Sequence, residues 1–362
     1  MPTIAVLTSG GDAPGMNAAI QSVAKVGAAR GYDVIGVERG YDGLIDGASI
    51  PLTREVQDSS IPFPTAEIEG IGGWGGTVLG SARCPRFLEP SFRAQAAENL
   101  RSWGCIGLVV VGGNGSIAGA HALANECDIP VLAIPASIDN DIGLTREALG
   151  VDTALNTIVE ACDRISDTAR SHRRAFIVEV MGRHSGYLAM ASAIATAADA
   201  VLLPEQGKSF DEVVDAVASC VRTSFSEPRR KRRVLIIKAE GVEIPTHMLV
   251  DELEAELSDL DAVDIRGTVL GHLVRGGNSS FRDRLLAGRF GLVVVDAILE
   301  GKTDLMAGWN LVDQGQPTSD AFIRLFPIGD VLAETESLLD GSSDVTMDRV
   351  RRMEAIQGVL AL

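Results

Sequence analysis

Cysteine is sparse and unpatterned in this sequence. Five cysteines in 362 residues, with no Cys-x-x-Cys spacing, give neither a disulfide framework nor a zinc cluster. They read as thiols in a reducing cytoplasm. Long apolar runs are missing too, and none approaches the roughly 20 residues that span a bilayer. The opening Met1-Pro2-Thr3-Ile4-Ala5-Val6-Leu7 enters an apolar strand with no basic region or cleavage site. A cytoplasmic protein with no membrane partner is expected. Positive charge is in deficit: 32 basic against 49 acidic residues, a net -17. Such a surface repels nucleic acid and anionic lipid unless a local basic patch offsets it. The run that qualifies, Arg229-Arg230-Lys231-Arg232-Arg233, has no interleaved aromatic residues and reads as a solvated loop. No nucleic-acid partner is expected. Repeats with a period of 20–50 residues and low-complexity segments are absent as well.

What is present is ordinary in bulk, 46% apolar and 22% charged, as in soluble globular chains. The length points to two domains. Short apolar runs alternate with glycine-rich or polar turns and helical periods. Residues 4–7 lead into Thr8-Ser9-Gly10-Gly11-Asp12-Ala13-Pro14-Gly15 and a helix over about 17–30, with Gly31 suited to end it. Residues 108–111 lead into Gly112-Gly113-Asn114-Gly115-Ser116 and an alanine-rich stretch to Glu126. Residues 131–134 run into Pro135-Ala136-Ser137-Ile138-Asp139-Asn140-Asp141, and 177–180 into Met181-Gly182-Arg183 and a helix to about 198. Strands apolar throughout and alternating with helices are the mark of a parallel sheet covered on both faces. The fold class is α/β. The clearest helix spans about 153–169, with Leu155, Ile158, Val159, Cys162 and Ile165 on one face and Asp152 placed to cap it. Its basic end (Arg170, His172, Arg173, Arg174) suits either a helix C-terminus or a ligand. Residues 334–339 and 347–359 read as terminal helices.

In an open α/β sheet, ligands bind at the carboxyl ends of the strands. Four turns fall there. The turn over Ser9–Gly15 presents bare N–H groups at a helix start, where phosphate is a natural guest, although many such turns are only tight turns. The turn at Gly112–Ser116 has the same physics but is neither a Walker A loop nor a dinucleotide fingerprint. Its Asn-Gly-Ser reads formally as a glycosylation sequon, without weight in the cytoplasm. Asp139 and Asp141 could divide base work and magnesium binding, as phosphoryl transfer requires, or form an Asx-rich turn. Gly75-Gly76-Thr77-Val78-Leu79-Gly80-Ser81-Ala82-Arg83 carries an arginine that could meet charge developing in a transition state.

Together these residues closely resemble the phosphofructokinase family, from about Ile4 to about Arg289. The motifs are Gly10-Gly11-Asp12-Ala13-Pro14-Gly15-Met16-Asn17-Ala18, Gly76-Thr77-Val78-Leu79-Gly80-Ser81-Ala82-Arg83, Ile138-Asp139-Asn140-Asp141, Glu179-Val180-Met181-Gly182-Arg183 and Leu270-Gly271-His272-Leu273-Val274-Arg275-Gly276-Gly277, in the family's order. The resemblance implies two Rossmann-like α/β domains with the active site in the cleft between them. Residues 1–150 plus 274–324 would bind the nucleotide, and 151–273 plus 325–362 the sugar phosphate. It implies magnesium-dependent transfer of a terminal phosphoryl group from ATP to the 1-hydroxyl of fructose 6-phosphate, in glycolysis. Asp139 takes the catalytic-base position. Gly11 offers its N–H to the transferred group, Arg83 and Arg183 neutralise its charge, and Ser137 keeps the hydroxyl donor that threonine supplies elsewhere. Asp141 falls in the magnesium-supporting shell and beside the substrate. Met181, Gly182, Arg183, Glu240, His272 and Arg275 fall on sugar-phosphate positions. Arg174 and Arg266 match arginines that reach the 6-phosphate across a subunit boundary, which implies a homo-oligomer, commonly a homotetramer. The nucleotide side comprises Gly11, Tyr41, Arg83, Cys84, Gly113, Asn114, Gly115, Ser116 and Gly119.

The sequence departs from the family at informative positions. Asn114 replaces an aspartate that serves the metal in many members, keeping an oxygen ligand but losing a charge. Pyrophosphate-using relatives usually carry aspartate where this chain has Gly115 and lysine where it has Ala136. Both positions favour ATP as the donor. Gln21 and Ser166 replace arginines used for an effector phosphate, although Lys25 remains basic, so activation by nucleoside diphosphate is expected to be weak or absent. Three alternatives are a pyrophosphate donor, another ketose phosphate such as sedoheptulose 7-phosphate, and a non-catalytic regulatory subunit. Asn114 alone supports the last.

Overall fold

A computed structural model describes residues 1–127, 129–260, 263–310, 314–347 and 351. The chain forms two compact units, one of residues 1–153 and 275–336, the other of 154–274 and 337–362. Both are α/β. Among the described residues no helix is long and apolar enough to cross a membrane.

In the first unit a seven-stranded sheet has the spatial order Ile323–Pro327, Leu305–Trp309, Val131–Pro135, Cys105–Gly112, Thr3–Ser9, Asp33–Val37, Ser49–Pro51. Its interior pairings are parallel, and the strand at each edge runs antiparallel to its neighbour. Ile4 to Leu7 and Leu108 to Val111 have no exposed surface, because central strands are covered on both faces and so read as unbroken apolar runs. The chain builds outward from Thr3–Ser9 in one direction and returns to pair Cys105–Gly112 on its other side. The glycine-rich turns after these two strands therefore emerge side by side at the point where strand order reverses. The helix Met16–Ala29 buries Met16, Ala19, Ile20, Val23 and Ala24 on one stripe. It lies so close to the helix Phe281–Leu299 that Ser22 Oγ donates to the Gly288 carbonyl at 3.0 Å.

The second unit has an all-parallel sheet in the order Asp264–Val269, Arg174–Val180, Val234–Ala239, Ala200–Leu202. Its strands end at the Met181-Gly182-Arg183 turn and at Glu240. Lys238 is 1% exposed in the central strand, and its Nζ lies 3.0 Å from Glu179 Oε2, which also accepts from Thr246 Oγ1. A cation can occupy a sheet interior only with such a partner.

The structure corrects several expectations. The long helix runs Val151–His172, so Asp152 lies in its first turn rather than at its cap. There it still complements the positive end of the helix dipole. The strand Ile323–Pro327 pairs antiparallel with Leu305–Trp309, and the first compact unit includes residues 275–336. The helix expected over 334–339 is the end of a longer one, Ile328–Leu339, whereas most of the span 347–359 lies outside the described residues. The basic run at 229–233 is a loop, but a tied one. Lys231 pairs with Asp199 at 2.5 Å, and Asp199 is 5% exposed and also accepts from Leu235 N.

Candidate functional site

In the first unit the turn after Thr3–Ser9 is laced to the loop that carries Arg83. Gly10 N donates to the Ala82 carbonyl at 3.3 Å, Ser81 Oγ to the Gly10 carbonyl at 2.7 Å, and Thr8 Oγ1 to the Gly80 carbonyl at 2.9 Å. Asn17 reaches across from its helix, donating to the Gly75 carbonyl and accepting from Val78 N. Such bonds give an otherwise pliable glycine loop a fixed course. A β-carbon at Gly11 would lie 3.3 Å from Arg275 Nη1. That guanidinium donates to the Asp12 carbonyl at 3.2 Å and comes within 3.8 Å of Asp139 Oδ1. One arginine therefore spans the phosphate-type backbone of the turn and a carboxylate that is 5% exposed.

Asp139 owes its position to its neighbour. Asn140 adopts φ 50, donates to the Arg146 carbonyl at 3.1 Å and accepts from Ala148 N at 3.1 Å. Asparagine tolerates the left-handed region that most residues avoid. Asp139 N donates to Ser137 Oγ at 3.3 Å, and Ser137 Oγ lies 3.4 Å from Asp141 Oδ1. Asn114, at the start of the helix Asn114–Cys127, donates its amide to Asp141 Oδ2 at 2.9 Å. Its Oδ1 is buried with no hydrogen-bond partner among the described residues. An orphaned oxygen beside a carboxylate is a donor set that suits a hard cation. Among the described residues no three His, Cys, Asp or Glu side chains cluster as metal ligands.

The expected nucleotide side divides. Gly113 caps its helix, its carbonyl accepting from Ser116 N and Ile117 N. Gly115 is exposed, and a side chain there would point into open space. Tyr41 is engaged elsewhere. It is 4% exposed, stacks on Phe87 at 3.9 Å between centroids and donates its hydroxyl to the Ser116 carbonyl at 2.6 Å. Burial holds the phenol neutral, well above its usual range. Gly119 is required by that packing, because a β-carbon would come within 2.9 Å of the Tyr41 ring. Both residues support the 113–116 turn from beneath. Cys84 donates to Asp42 at 3.0 Å, and its thiol is pushed up to about 11, first by burial and then by that carboxylate. It is a neutral donor.

In the second unit Glu240 Oε1 accepts from Gly182 N at 3.2 Å and Arg183 N at 2.6 Å, which fixes the Met181–Arg183 turn. Gly182 sits at φ 145, and a β-carbon there would be 2.5 Å from the Ser185 carbonyl, so only glycine fits. Arg183 is exposed, as is His272 on the 3-10 turn Gly271–Arg275. Arg174 and Arg266 come together at the other end of the sheet. Arg174 begins the strand whose far end leads to Met181 and Gly182, and at about 3.3 Å per residue the strand's two ends lie roughly 20 Å apart. Both arginines contact Asp264: Arg174 Nε at 2.5 Å and Arg266 Nη2 at 2.8 Å. The sequence placed Asn17 and Asn140 in motifs without giving either a role, and Asp264 went unnoticed. A signal existed for the last, since Asp264 and Arg266 are two apart on a strand and share a face.

Residues 3–298 match the phosphofructokinase family. The ATP-dependent 6-phosphofructokinase of Thermotoga petrophila is 45% identical over 308 residues, covering 84% of this chain and 89% of that protein. That of Staphylococcus carnosus is 42% identical over 330 residues, covering 90% and 94%. The structure of phosphofructokinase from Saccharomyces cerevisiae aligns with TM-score 0.79 at 33% identity, over 96% of this chain and 48% of the yeast chain. This chain thus spans about half the yeast chain's length. The pyrophosphate-dependent phosphofructokinase from Marinobacter aquaeolei shares the fold, with TM-score 0.75 at 21% identity over 91% of this chain and 84% of that one. A match that begins in the first strand and runs through the helix Phe281–Leu299, over a chain whose five motifs keep their order, makes this protein a member of the phosphofructokinase family.

Proposed function

We propose that the chain is an ATP-dependent 6-phosphofructokinase. It transfers the γ-phosphoryl group of ATP to the 1-hydroxyl of fructose 6-phosphate, giving fructose 1,6-bisphosphate and ADP. The observation that carries this reading is the bridge made by Arg275 between the glycine turn at Gly11 and the buried carboxylate of Asp139. Phosphoryl transfer asks a protein mainly for position and charge. Asp139 accepts the proton of the sugar hydroxyl as its oxygen attacks phosphorus and the bond to the ADP oxygen breaks. Gly11 N–H, Arg83 and Arg183 receive the charge on the equatorial oxygens. Asn114 Oδ1 and Asp141, with Ser137 beside them, are the groups that would serve magnesium. Bound there, magnesium would supply positive charge to offset that of the phosphates.

The first unit holds the donor, with its phosphates on the 113–116 turn and at Gly11. The second holds the sugar phosphate through Met181, Gly182, Glu240 and His272. The open space at Gly115 supports a nucleotide, because a carboxylate there would repel an α-phosphate. The strand's length between Arg174 and Gly182 supports a homo-oligomer, in which these arginines serve the 6-phosphate held by a second copy. Weak or absent activation by nucleoside diphosphate belongs to the same reading, since Gln21 donates to the Ile68 carbonyl and Ser166 is buried.

The test is product formation from fructose 6-phosphate and magnesium, with ATP and pyrophosphate in parallel. Turnover with ATP alone is expected, and turnover only with pyrophosphate would overturn the donor assignment. Asp139→Asn should lower kcat by about 10²–10⁴-fold while sugar-phosphate binding persists. An unchanged kcat would remove Asp139 from the mechanism.

A further inference from the structure

Two guanidiniums drawn to one small volume repel each other, and each carries several rotatable bonds that must be frozen before a phosphate can be gripped. The pair Arg174 and Arg266 meets both difficulties with one side chain. Asp264 is the register partner of Arg174 on the adjacent parallel strand. Its Oδ2 lies 2.5 Å from Arg174 Nε, and its Oδ1 lies 2.8 Å from Arg266 Nη2. Each carboxylate oxygen therefore takes one arginine. The contact on Arg174 is made through Nε, and its two terminal nitrogens have no hydrogen-bond partner among the described residues. Arg266 is steadied further by the Ile265 carbonyl at 3.5 Å and Glu254 at 3.7 Å. Arg174 and Asp264 are each less than a third exposed, against 51% for Arg266. The carboxylate is thus the inner member of the group.

We propose that Asp264 is a positioning residue for sugar-phosphate recognition, bridging Arg174 and Arg266 so that both guanidiniums are set for one phosphate dianion. This rests on the reading that the two arginines bind the 6-phosphate. Asp264 makes no contact with substrate itself. It divides the repulsion between the two cations, fixes their spacing through the strand register and leaves the terminal fork of Arg174 for the ligand, where bidentate phosphate contact is strongest. The inner carboxylate lowers the net charge of the group, and that loss is outweighed by orientation, because two arginines swinging independently must each be ordered on binding.

The experiment compares Asp264→Asn, Arg174→Ala/Arg266→Ala and the triple variant in steady-state kinetics with fructose 6-phosphate and ATP. Asp264→Asn should raise KM for fructose 6-phosphate on the order of tenfold, with kcat and KM for ATP unchanged. In the double-arginine background the same substitution should change nothing further, because a residue that acts only through the arginines has nothing left to position. An unchanged or lowered KM in the single variant overturns the proposal, as does an equal further loss in the triple variant, which marks a merely structural role. If the arginine pair itself leaves KM unchanged, the phosphate reading of those arginines fails and the proposal falls with it. If the pair raises KM and Asp264→Asn does not, the phosphate reading stands and only the proposal falls.

Discussion

Replacing Glu147 by Gln should make the stability of the first unit less dependent on pH, with a sign opposite to that of most carboxylates. Glu147 is 7% exposed, its Oε2 lies 2.8 Å from Arg282, and its Oε1 is buried without a hydrogen-bond partner among the described residues. Burial outweighs Arg282, and Asp152 and Asp283 add like charge, so the carboxyl is pushed from 4.5 up to about 7. The folded state thus binds this proton more tightly than the unfolded state. Between about pH 4.5 and 7 the native protein holds more protons, and stability falls as pH rises through that window. A shift of this size corresponds to at most roughly 3 kcal/mol, fully expressed above pH 7. The assay is urea unfolding of wild type and Glu147→Gln at pH 5 and pH 8. The variant should gain on wild type by roughly 2–3 kcal/mol between those conditions. Parallel stability curves would show that Arg282 keeps Glu147 ionised in the fold, and the reasoning would be wrong.

Further outcomes follow from other sites. Lys238→Met leaves Glu179 without its cation in the sheet, and unfolding should show a loss of about 3 kcal/mol, the lower end for a broken buried pair. Adding Glu179→Gln should recover much of it, and a double variant as unstable as the single would refute the pairing argument. Gly115→Asp places a carboxylate in open space above the 113–116 turn, so the fold should tolerate it while KM for ATP rises tenfold or more. An unchanged KM would remove Gly115 from the donor site.

The central strands were legible because a strand covered on both faces has to be apolar at every position. The sequence shows this directly at residues 4–7 and 108–111. The turns were legible for a related reason, since Gly10, Gly182 and their neighbours do what other residues cannot at those backbone angles. Pairings made across strands or from distant helices were not. Tyr41 lies in a helix of its own, and nothing local announces that its hydroxyl meets the Ser116 carbonyl 75 residues on. Glu147 looks like any loop carboxylate until Arg282 arrives from the helix Phe281–Leu299. Asp152 was read as a cap because it precedes the apolar stripe, but the helix begins at Val151, two residues before the start that the stripe indicates.

The strand Arg174–Val180 has a consequence beyond its place in the sheet. On the reading above, it begins in a group that serves a neighbour's sugar phosphate and ends at the turn that grips the chain's own. A β-strand held on both sides by parallel partners does not stretch, so it behaves as a push-rod some seven residues long. The spacing between those two groups is thus set by a single element rather than by how separate loops settle.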